Sequence, residues 1–291
     1  MLIWQVAITV INIAMVLASI VVFRFGMSFI LGVNAKDELD KKDNFAFGIT
    51  VGGGILALLL IMSGAISGEA HASLQQEVIS ILLYSILGML LLKIGFFFQD
   101  KVIIRNLSLV DEIKRGNVSA GIVTAINLIS IGLIIRGAIY WSEDSGIQGL
   151  IPVVIIYLVS QIVLTAVTKL RGAIYARRNN GQAWHSAIQN DNKAIAIRFA
   201  GQLCATALAI TSVAGIVNYS TTLLFEMAMH WLGYSFLLMI AIWLIYKAIT
   251  PIILNNINLV EEVDQQANVG VAFIEAVTFI GIAVVIMGFI V

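Results

Sequence analysis

Two residues of opposite charge fall inside apolar stretches of the sequence, where a charge needs a partner. Arg198 lies in NDNKAIAIRFAG, six residues after Asn192, and Glu275 lies in NVGVAFIEAVTFIGIAV, seven residues after Asn268. At 1.5 Å of rise per helical residue, both side chains lie about 10 Å from the start of a helix. Because an intramembrane carboxylate faces the protein interior and pairs or protonates, we predict an Arg198–Glu275 ion pair.

The predicted pair has two interpretations. In the first, it is a structural ion pair that sets the register of two helices. In the second, it belongs to a gated or protonatable polar site at the centre of a helix bundle. The residues that align with Arg198 and Glu275 in the first half of the chain are Thr50 and Thr124. Both charges therefore belong to the second half alone.

The composition predicts the elements that hold these residues. Of the 291 residues, 60% are hydrophobic and 12% are charged, whereas soluble domains are nearer half apolar and a quarter charged. Runs of about 20 apolar residues recur along the chain, as in transmembrane helices. We predict an all-α, polytopic membrane protein with eight transmembrane helices. The predicted spans lie near residues 2–31, 45–66, 78–98, 118–141, 150–168, 194–216, 228–249 and 268–290.

The connecting segments differ in charge, and this difference predicts an orientation. Segments rich in Lys and Arg face the cytoplasm in polytopic membrane proteins. The basic segments are 34–43, 99–116 and 169–193, and the segments without Lys or Arg are 67–77, 142–149 and 217–227. We therefore expect the first set inside, the second set outside, and both termini on the external side of the membrane.

The chain contains an internal repeat. DNFAFGITVGG (43–53) matches DNKAIAIRFAG (191–201), and RNLSLVDEIKRGNV (105–118) matches NNINLVEEVDQQANV (255–269) with one extra residue. We predict two four-helix repeats of the same orientation, residues 1–146 and 147–291. An even number of spans in each repeat implies a pseudo-twofold axis along the membrane normal.

These motifs resemble those of the YjfL-like inner-membrane proteins, the domain of unknown function 350 family. The shared features are an Asn before a helix rich in small residues, an acidic segment, and a second helix that begins at an Asn. The resemblance covers nearly the whole chain, as two tandem copies. It implies a multi-pass protein of the bacterial inner (plasma) membrane. The external side that the charge of the segments predicts for both termini is then the periplasmic side. It implies no activity, and it suggests an association with envelope stress and PspA-like coat proteins.

Four asparagines begin helices at the predicted cytoplasmic face, and an aspartate precedes two of them. Asn is a favourable N-cap because its side chain accepts from a free backbone N–H. The alternative is that the four positive helix ends form an anion-attracting vestibule. The two aspartates argue against that alternative, since their carboxylates would occupy the same N–H groups. The residues are Asn44, Asn117, Asn192 and Asn268, with Asp43 and Asp191.

Glycines mark where helices are expected to approach closely. Gly48 and Gly52 are four residues apart, and Gly53 recurs as Gly201 in the second repeat. Small residues at this spacing allow close contact between helix backbones in membranes. We predict a helix-packing role for all four glycines.

Two functions stay open. The first is a transporter or channel for a proton, a small ion or a small solute, favoured by the duplication and the intramembrane pair. The second is a membrane scaffold or envelope-stress subunit that docks cytoplasmic coat-type proteins. An enzyme is not expected, because the sequence has no nucleophile–base set and no phosphate-binding loop. We expect no cofactor, no metal and no nucleic acid. The expected partners are the lipid bilayer and further copies of the chain in a homo-oligomer.

Overall fold

The protein is described here by a computed structural model covering residues 2–67, 73–142, 147–220 and 222–290. These ranges contain ten α-helices and no strand, and eight of the helices are long and apolar enough to cross a membrane, as predicted. The helices are α1 (Leu2–Leu31), α2 (Phe45–Ile66), α3 (Leu74–Phe98), α4 (Leu109–Lys114), α5 (Val118–Ser142), α6 (Ile147–Arg178), α7 (Trp184–Gln189), α8 (Lys193–Ser212), α9 (Leu224–Ile253) and α10 (Val269–Ile290). Short π-helical turns occupy Asp37–Lys41, Gln99–Ile103 and Val260–Gln265.

The predicted spans and the observed helices differ mainly at their polar ends. The α6 helix continues ten residues beyond the predicted end at 168, to Arg178. Its last turns carry basic residues, which are good helix formers and interact favourably with a helix C-terminus. The α3 helix begins at Leu74 because the side chain of Ser73 accepts a hydrogen bond from Gln76 N and caps it.

Four helices form a row at the centre of the protein, in the order α2, α5, α8, α10. Neighbouring helices in the row approach closely where a glycine faces a small residue or a backbone. Gly53 packs against Ala125, Gly137 against Thr211, and Gly201 against Ala276. The α1 and α3 helices flank the first half of the row, and α6 and α9 flank the second half.

The row corrects the predicted pseudo-twofold relation between the repeats. The first repeat consists of α1, α2, α3 and α5, and its equivalents in the second are α6, α8, α9 and α10. A twofold axis that exchanges the repeats would place α5 on α10 and α8 on α2. It would therefore require a contact between α10 and α2 like the contact between α5 and α8. Among the described residues α2 and α10 form no such interface, whereas α5 and α8 contact each other extensively. The repeats are therefore related by one step along the row.

Two of the predicted packing glycines face away from the row. Gly52 is exposed, with no other side chain or backbone near the position of a Cβ atom, and Gly48 meets only the side chain of Leu39. Because one residue turns a helix by about 100°, Gly53 faces α5 while Gly52 faces outward. The prediction of a packing role within the chain is wrong for Gly48 and Gly52.

Candidate functional site: the charged cluster and cavity of the second repeat

Arg198 and Glu275 are brought together by two neighbouring helices of the row, α8 and α10. Arg198 Nε donates to Glu275 Oε2 over 2.7 Å, and Nη2 lies 2.6 Å from the same oxygen. The two side chains are 11% and 3% exposed. The charge of the arginine is thus compensated by a carboxylate within the protein.

The cluster has two further members that sequence reasoning missed, Asp264 and Tyr246. Arg198 Nη1 pairs with Asp264 Oδ1, and Nη2 donates to the carbonyl of Leu259 over 3.0 Å. The hydroxyl of Tyr246 donates to the second oxygen of Glu275. All three guanidinium nitrogens and both Glu275 oxygens therefore have partners. The cluster joins α8, α9, α10 and the turn Val260–Gln265.

A sequence signal for the missing members exists in the repeat. Counting back 150 residues, the offset that relates Glu261 to Asp111, places Lys114 at Asp264 and Phe96 at Tyr246. Both positions differ between the repeats, as the positions of Arg198 and Glu275 do. The polar residues of the cluster are thus all particular to the second repeat.

A cavity of about 680 Å³ lies beside the cluster, between α6, α8, α9 and α10. Its walls are largely apolar and aromatic, and Arg198, Glu275 and Asp264 form part of its lining. Leu170, Ile240 and Trp243 also line it, and they are exposed on the outer surface of the bundle. The cavity therefore opens sideways between α6 and α9, in the region where these helices would contact lipid.

Two cations of the cavity wall lie over aromatic rings. Arg171 Cζ is 5.3 Å from the ring centroid of Phe279, and Lys247 Nζ is 5.5 Å from that of Trp243. Neither has a carboxylate oxygen within 4.0 Å in the described parts of the chain. With two carboxylates against four cations, the lining carries a net positive charge; the cations are Arg171, Arg178, Arg198 and Lys247.

The first repeat has a smaller and less polar cavity at the equivalent place. Its volume is about 310 Å³, and it lies between α1, α3 and α5. Phe23, which aligns with Arg171 at the offset of 148 that relates Asp43 to Asp191, is buried and packs against Gly54. Thr50, the counterpart of Arg198, donates its hydroxyl to the carbonyl of Ala46 in its own helix. Only the second cavity contains the charged cluster.

Uncharged polar side chains are buried separately between α3, α5 and α6. Asn127 Nδ2 is 3.5 Å from the carbonyl of Gly95, and Gln99 Nε2 donates to Val123 O over 3.2 Å. Thr124 Oγ1, Gln99 Oε1 and the hydroxyl of Tyr157 have no hydrogen-bond partner among the described residues. Sequence reasoning treated Thr124 only as the uncharged counterpart of Glu275.

The four helix-starting asparagines all act as N-caps. Each side-chain oxygen accepts from the backbone N–H three residues later, as from Phe47 for Asn44 and from Ile195 for Asn192. A residue with positive φ precedes each asparagine: Asp43, Gly116, Asp191 and Ala267. Asp43 is exposed, whereas Asp191 accepts from the backbone N–H of Ser119 at the start of α5 over 2.8 Å.

Carboxylates upstream of three of these asparagines occupy their amide groups. Asn44 donates to Glu38 over 2.8 Å, Asn117 to Glu112 over 3.0 Å, and Asn268 to Glu262 over 2.7 Å. These glutamates lie five or six residues before the cap, a spacing that is visible in the sequence. With carboxylates already at the helix starts, the arrangement matches capping and not an anion vestibule.

Glu38 is the most deeply buried of these three glutamates, and its pKa is shifted. Burial alone would raise the pKa of Glu38. Hydrogen bonds from Lys42 Nζ, over 2.8 Å, and from Asn44 outweigh burial and lower the pKa below its ordinary value. The carboxylate is therefore held in its charged form at the start of α2.

No group of three or more His, Cys, Asp or Glu side chains within the described ranges is placed to hold a metal ion. Cys204 is a free thiol on α8. The candidate site is therefore the charged cluster together with its cavity.

The comparisons with known proteins place this fold in a family. The family model described as Domain of Unknown Function (DUF350) matches residues 1–139 and again residues 144–290. A UPF0719 transmembrane protein of Aquifex aeolicus (strain VF5) is 30% identical over 108 residues, which are 37% of this chain and 40% of that protein. The match thus spans about two fifths of the relative's length. No solved structure matches the chain. With two tandem matches that cover nearly all of its length, the chain belongs to the DUF350 family of membrane proteins.

Proposed function

We propose that the protein is a membrane transporter for a small amphiphilic anion, and that its binding site is the cavity of the second repeat. The observation that carries the proposal is the position of Arg171. Its guanidinium lies over Phe279 in an apolar cavity and has no carboxylate partner within the described ranges. A partly buried cation without a carboxylate partner is costly in apolar surroundings, and an anionic group of a ligand would compensate it.

The shape of the cavity supports an amphiphile over a water-soluble anion. An opening between α6 and α9, edged by Leu170, Ile240 and Trp243, faces the lipid side of the bundle. A molecule dissolved in the bilayer would enter there with its apolar part along the aromatic wall. Its anionic group would reach Arg171, with Lys247 near the rim. Ligand pockets that are apolar with a few placed charges have this general design.

The charged cluster supplies the conformational element that transport needs. Arg198 connects α8 to Asp264 in the turn Val260–Gln265 and to Glu275 on α10. An anion that enters the cavity competes with these carboxylates for the guanidinium. This competition loosens the contact between α8 and the turn, which couples occupancy of the cavity to a movement at its end. The role is non-enzymatic, and we place the protein in a bacterial inner membrane.

Binding is tested with a dansyl-labelled fatty acid added to the purified protein in nanodiscs, with energy transfer from tryptophan as the signal. Losing one charge-assisted contact of about 1.5–3 kcal/mol weakens binding roughly 10- to 100-fold. We expect this loss for Arg171→Leu. The matched control is Arg177→Leu, an exposed arginine of the same helix that does not line the cavity. Equal binding of the corresponding dansyl-labelled alcohol, or unchanged binding by Arg171→Leu, would overturn the proposal.

Transport is tested separately, with a dansyl-labelled alkyl sulfonate whose permanent charge prevents unaided passage through a bilayer. Vesicles containing the protein should accumulate the probe faster than protein-free vesicles. Glu275→Gln should alter this rate while the protein remains folded and abundant. Binding without flux would contradict transport and favour the scaffold alternative, in which the bound amphiphile is a structural lipid.

A further inference from the structure

The contact between the two repeats suggests how whole chains associate, independently of what the cavity binds. Within the chain, α5 of the first repeat packs on α8 of the second. The equivalent of α8 in the first repeat is α2, and the equivalent of α5 in the second repeat is α10. These two helices stand at opposite ends of the row, and each retains a face that corresponds to one side of the α5–α8 contact.

One part of the α5–α8 contact lies toward the C-terminal ends of the two helices. Gly137 on α5 packs against Thr211 on α8, whose hydroxyl lies 3.3 Å from the carbonyl of Leu133. The counterpart of Thr211, 148 residues earlier, is Ser63 on α2, which is exposed. The counterpart of Gly137, 151 residues later, is Gly288 on α10, which is also exposed and has nothing within 4 Å of a Cβ position.

Another part lies at the N-terminal ends. Asp191 before α8 accepts from the backbone N–H of Ser119 in the first turn of α5. The counterpart of Asp191 is Asp43, before α2, and the counterpart of Ser119 is Gly270, in the first turn of α10. Both counterparts are exposed. The row ends thus retain an acceptor and a backbone donor at the positions that meet inside the chain.

A third part involves the cap of α5. Asn117 Nδ2 donates to the carbonyl of Ile188 over 2.8 Å, which ties α5 to the short helix α7 that precedes α8. The counterpart of Asn117 is Asn268 at the start of α10, whose amide donates to Glu262. Among the described residues the row ends at α10, so Asn268 has no counterpart of Ile188 there. The two ends of the row thus repeat residue types of the α5–α8 interface at exposed positions, where Ser63 also accepts from Arg136 Nε of α5.

We infer that copies of the chain associate head to tail in the membrane, with α10 of one copy packed on α2 of the next as α5 packs on α8. The contact joins two different faces, so it is heterologous, and its repetition gives a closed ring or an extended row. The close approach depends on small residues at the contact, since apolar surface alone does not distinguish a helix from lipid. Exposed Gly52 and Gly288 supply such residues at the two ends.

Cysteine cross-linking in native membranes tests the inference, in a Cys204→Ala background that removes the natural thiol. The double variant Ser63→Cys/Gly288→Cys should form cross-linked dimers and larger species. An equal mixture of the two single variants in one membrane should form cross-linked dimers and nothing larger, because each chain then carries one thiol. Neither single variant alone should cross-link, because each position meets the other. No cross-linking of the double variant, or equal cross-linking of a single variant, would overturn the head-to-tail contact.

The mass of the protein in detergent micelles gives a second readout that does not depend on thiol chemistry. Gly288→Trp should shift the population from oligomers to single chains, because the indole blocks the contact. Gly233→Trp is the matched control, since Gly233 is an exposed glycine on α9 that also has nothing within 4 Å of a Cβ position. A wild-type protein that is already a single chain, or equal masses for the two variants, would contradict the inference.

Discussion

Tyr246 lies flat against Phe279, with ring centroids 3.8 Å apart and an interplanar angle of 15°. This stacking fixes the tyrosine hydroxyl where it donates to Glu275. The same Phe279 ring carries the guanidinium of Arg171. The phenylalanine therefore contacts both the charged cluster, through Tyr246, and Arg171, a cation of the cavity with no carboxylate partner in the described ranges.

Removing the hydroxyl of Tyr246 should destabilise the protein without disturbing the stacking. Tyr246→Phe leaves one oxygen of the buried Glu275 without a donor, which costs about 1–3 kcal/mol. The measurement is the free energy of unfolding in mixed micelles. Tyr140→Phe is the control, because Tyr140 is 65% exposed and should tolerate the change. Equal stabilities of the two variants would show that the Tyr246 hydroxyl does not support the carboxylate.

Replacing Arg198 and Glu275 by the threonines of the first repeat should give strongly non-additive losses of stability. Arg198→Thr leaves Glu275 and Asp264 buried without their cation and should cost about 3–5 kcal/mol. Glu275→Thr should cost less, because Arg198 retains Asp264.

The double variant Arg198→Thr/Glu275→Thr should be more stable than the sum of the two single losses predicts, because it removes both members of the pair. A double-mutant cycle of unfolding free energies measures this coupling. Additive losses would mean that the two side chains do not interact energetically.

Depth along a helix was sufficient to match Arg198 with Glu275 from the sequence, since each follows an N-cap asparagine by six or seven residues. Tyr246 and Asp264 could not be found in this way. Tyr246 approaches the pair from a helix that runs in the opposite direction, and Asp264 lies in a π-helical turn whose register hydrophobic periodicity does not predict. Their positions become visible only when the two repeats are compared residue by residue.

The repeat could be predicted from the sequence, but the arrangement of its two copies in space could not. Equal orientation of two units in a membrane is compatible with a twofold axis and with a step along a row. The choice depends on which face of each central helix carries the close contacts. Gly52 and Gly53 are adjacent in the sequence and point to different surroundings, so spacing alone did not identify the packing face.

Close helix contacts at Gly201 should make even a methyl group costly. A Cβ on Gly201 would meet the backbone and side chain of Ala276 on α10, and overpacking of this kind costs about 1–3 kcal/mol. Gly201→Ala should lower the unfolding free energy by about that amount. Gly233→Ala should be neutral or slightly stabilising, because nothing lies within 4 Å of its Cβ position. An unchanged free energy of unfolding for Gly201→Ala would show that α8 and α10 are packed less closely than the structure indicates.

Asn117 should be the most important of the four helix caps. Loss of a cap costs about 0.5–2 kcal/mol, and Asn117 also donates to Glu112 and to the carbonyls of Ile188 and Gln189. Asn117→Ala should therefore lower the free energy of unfolding by more than the loss of a helix cap alone. Asn192→Ala is the comparison, since its side chain makes only the capping bond to Ile195 within the described structure. Equal losses of unfolding free energy in the two variants would mean that Asn117 does not help to hold the repeats together.

The carboxylate of Glu38 should make the protein less stable in acid. Hydrogen bonds from Lys42 and Asn44 lower the folded-state pKa of Glu38 below its unfolded value. This contribution to stability is present above the ordinary glutamate pKa of about 4.3, and it is lost as the pH falls through the lower, folded-state pKa. The thermal unfolding midpoint of the wild type, compared with that of Glu38→Gln across this acidic range, measures the effect.

The difference between wild type and Glu38→Gln should be largest near neutral pH and should shrink in acid. Asp37→Asn provides the control, because Asp37 forms an exposed pair with Lys41, and exposed pairs contribute little. A difference that stays constant with pH would mean that the amide substitution acts through packing. In that case the charge of Glu38 does not hold Asn44 at the start of α2.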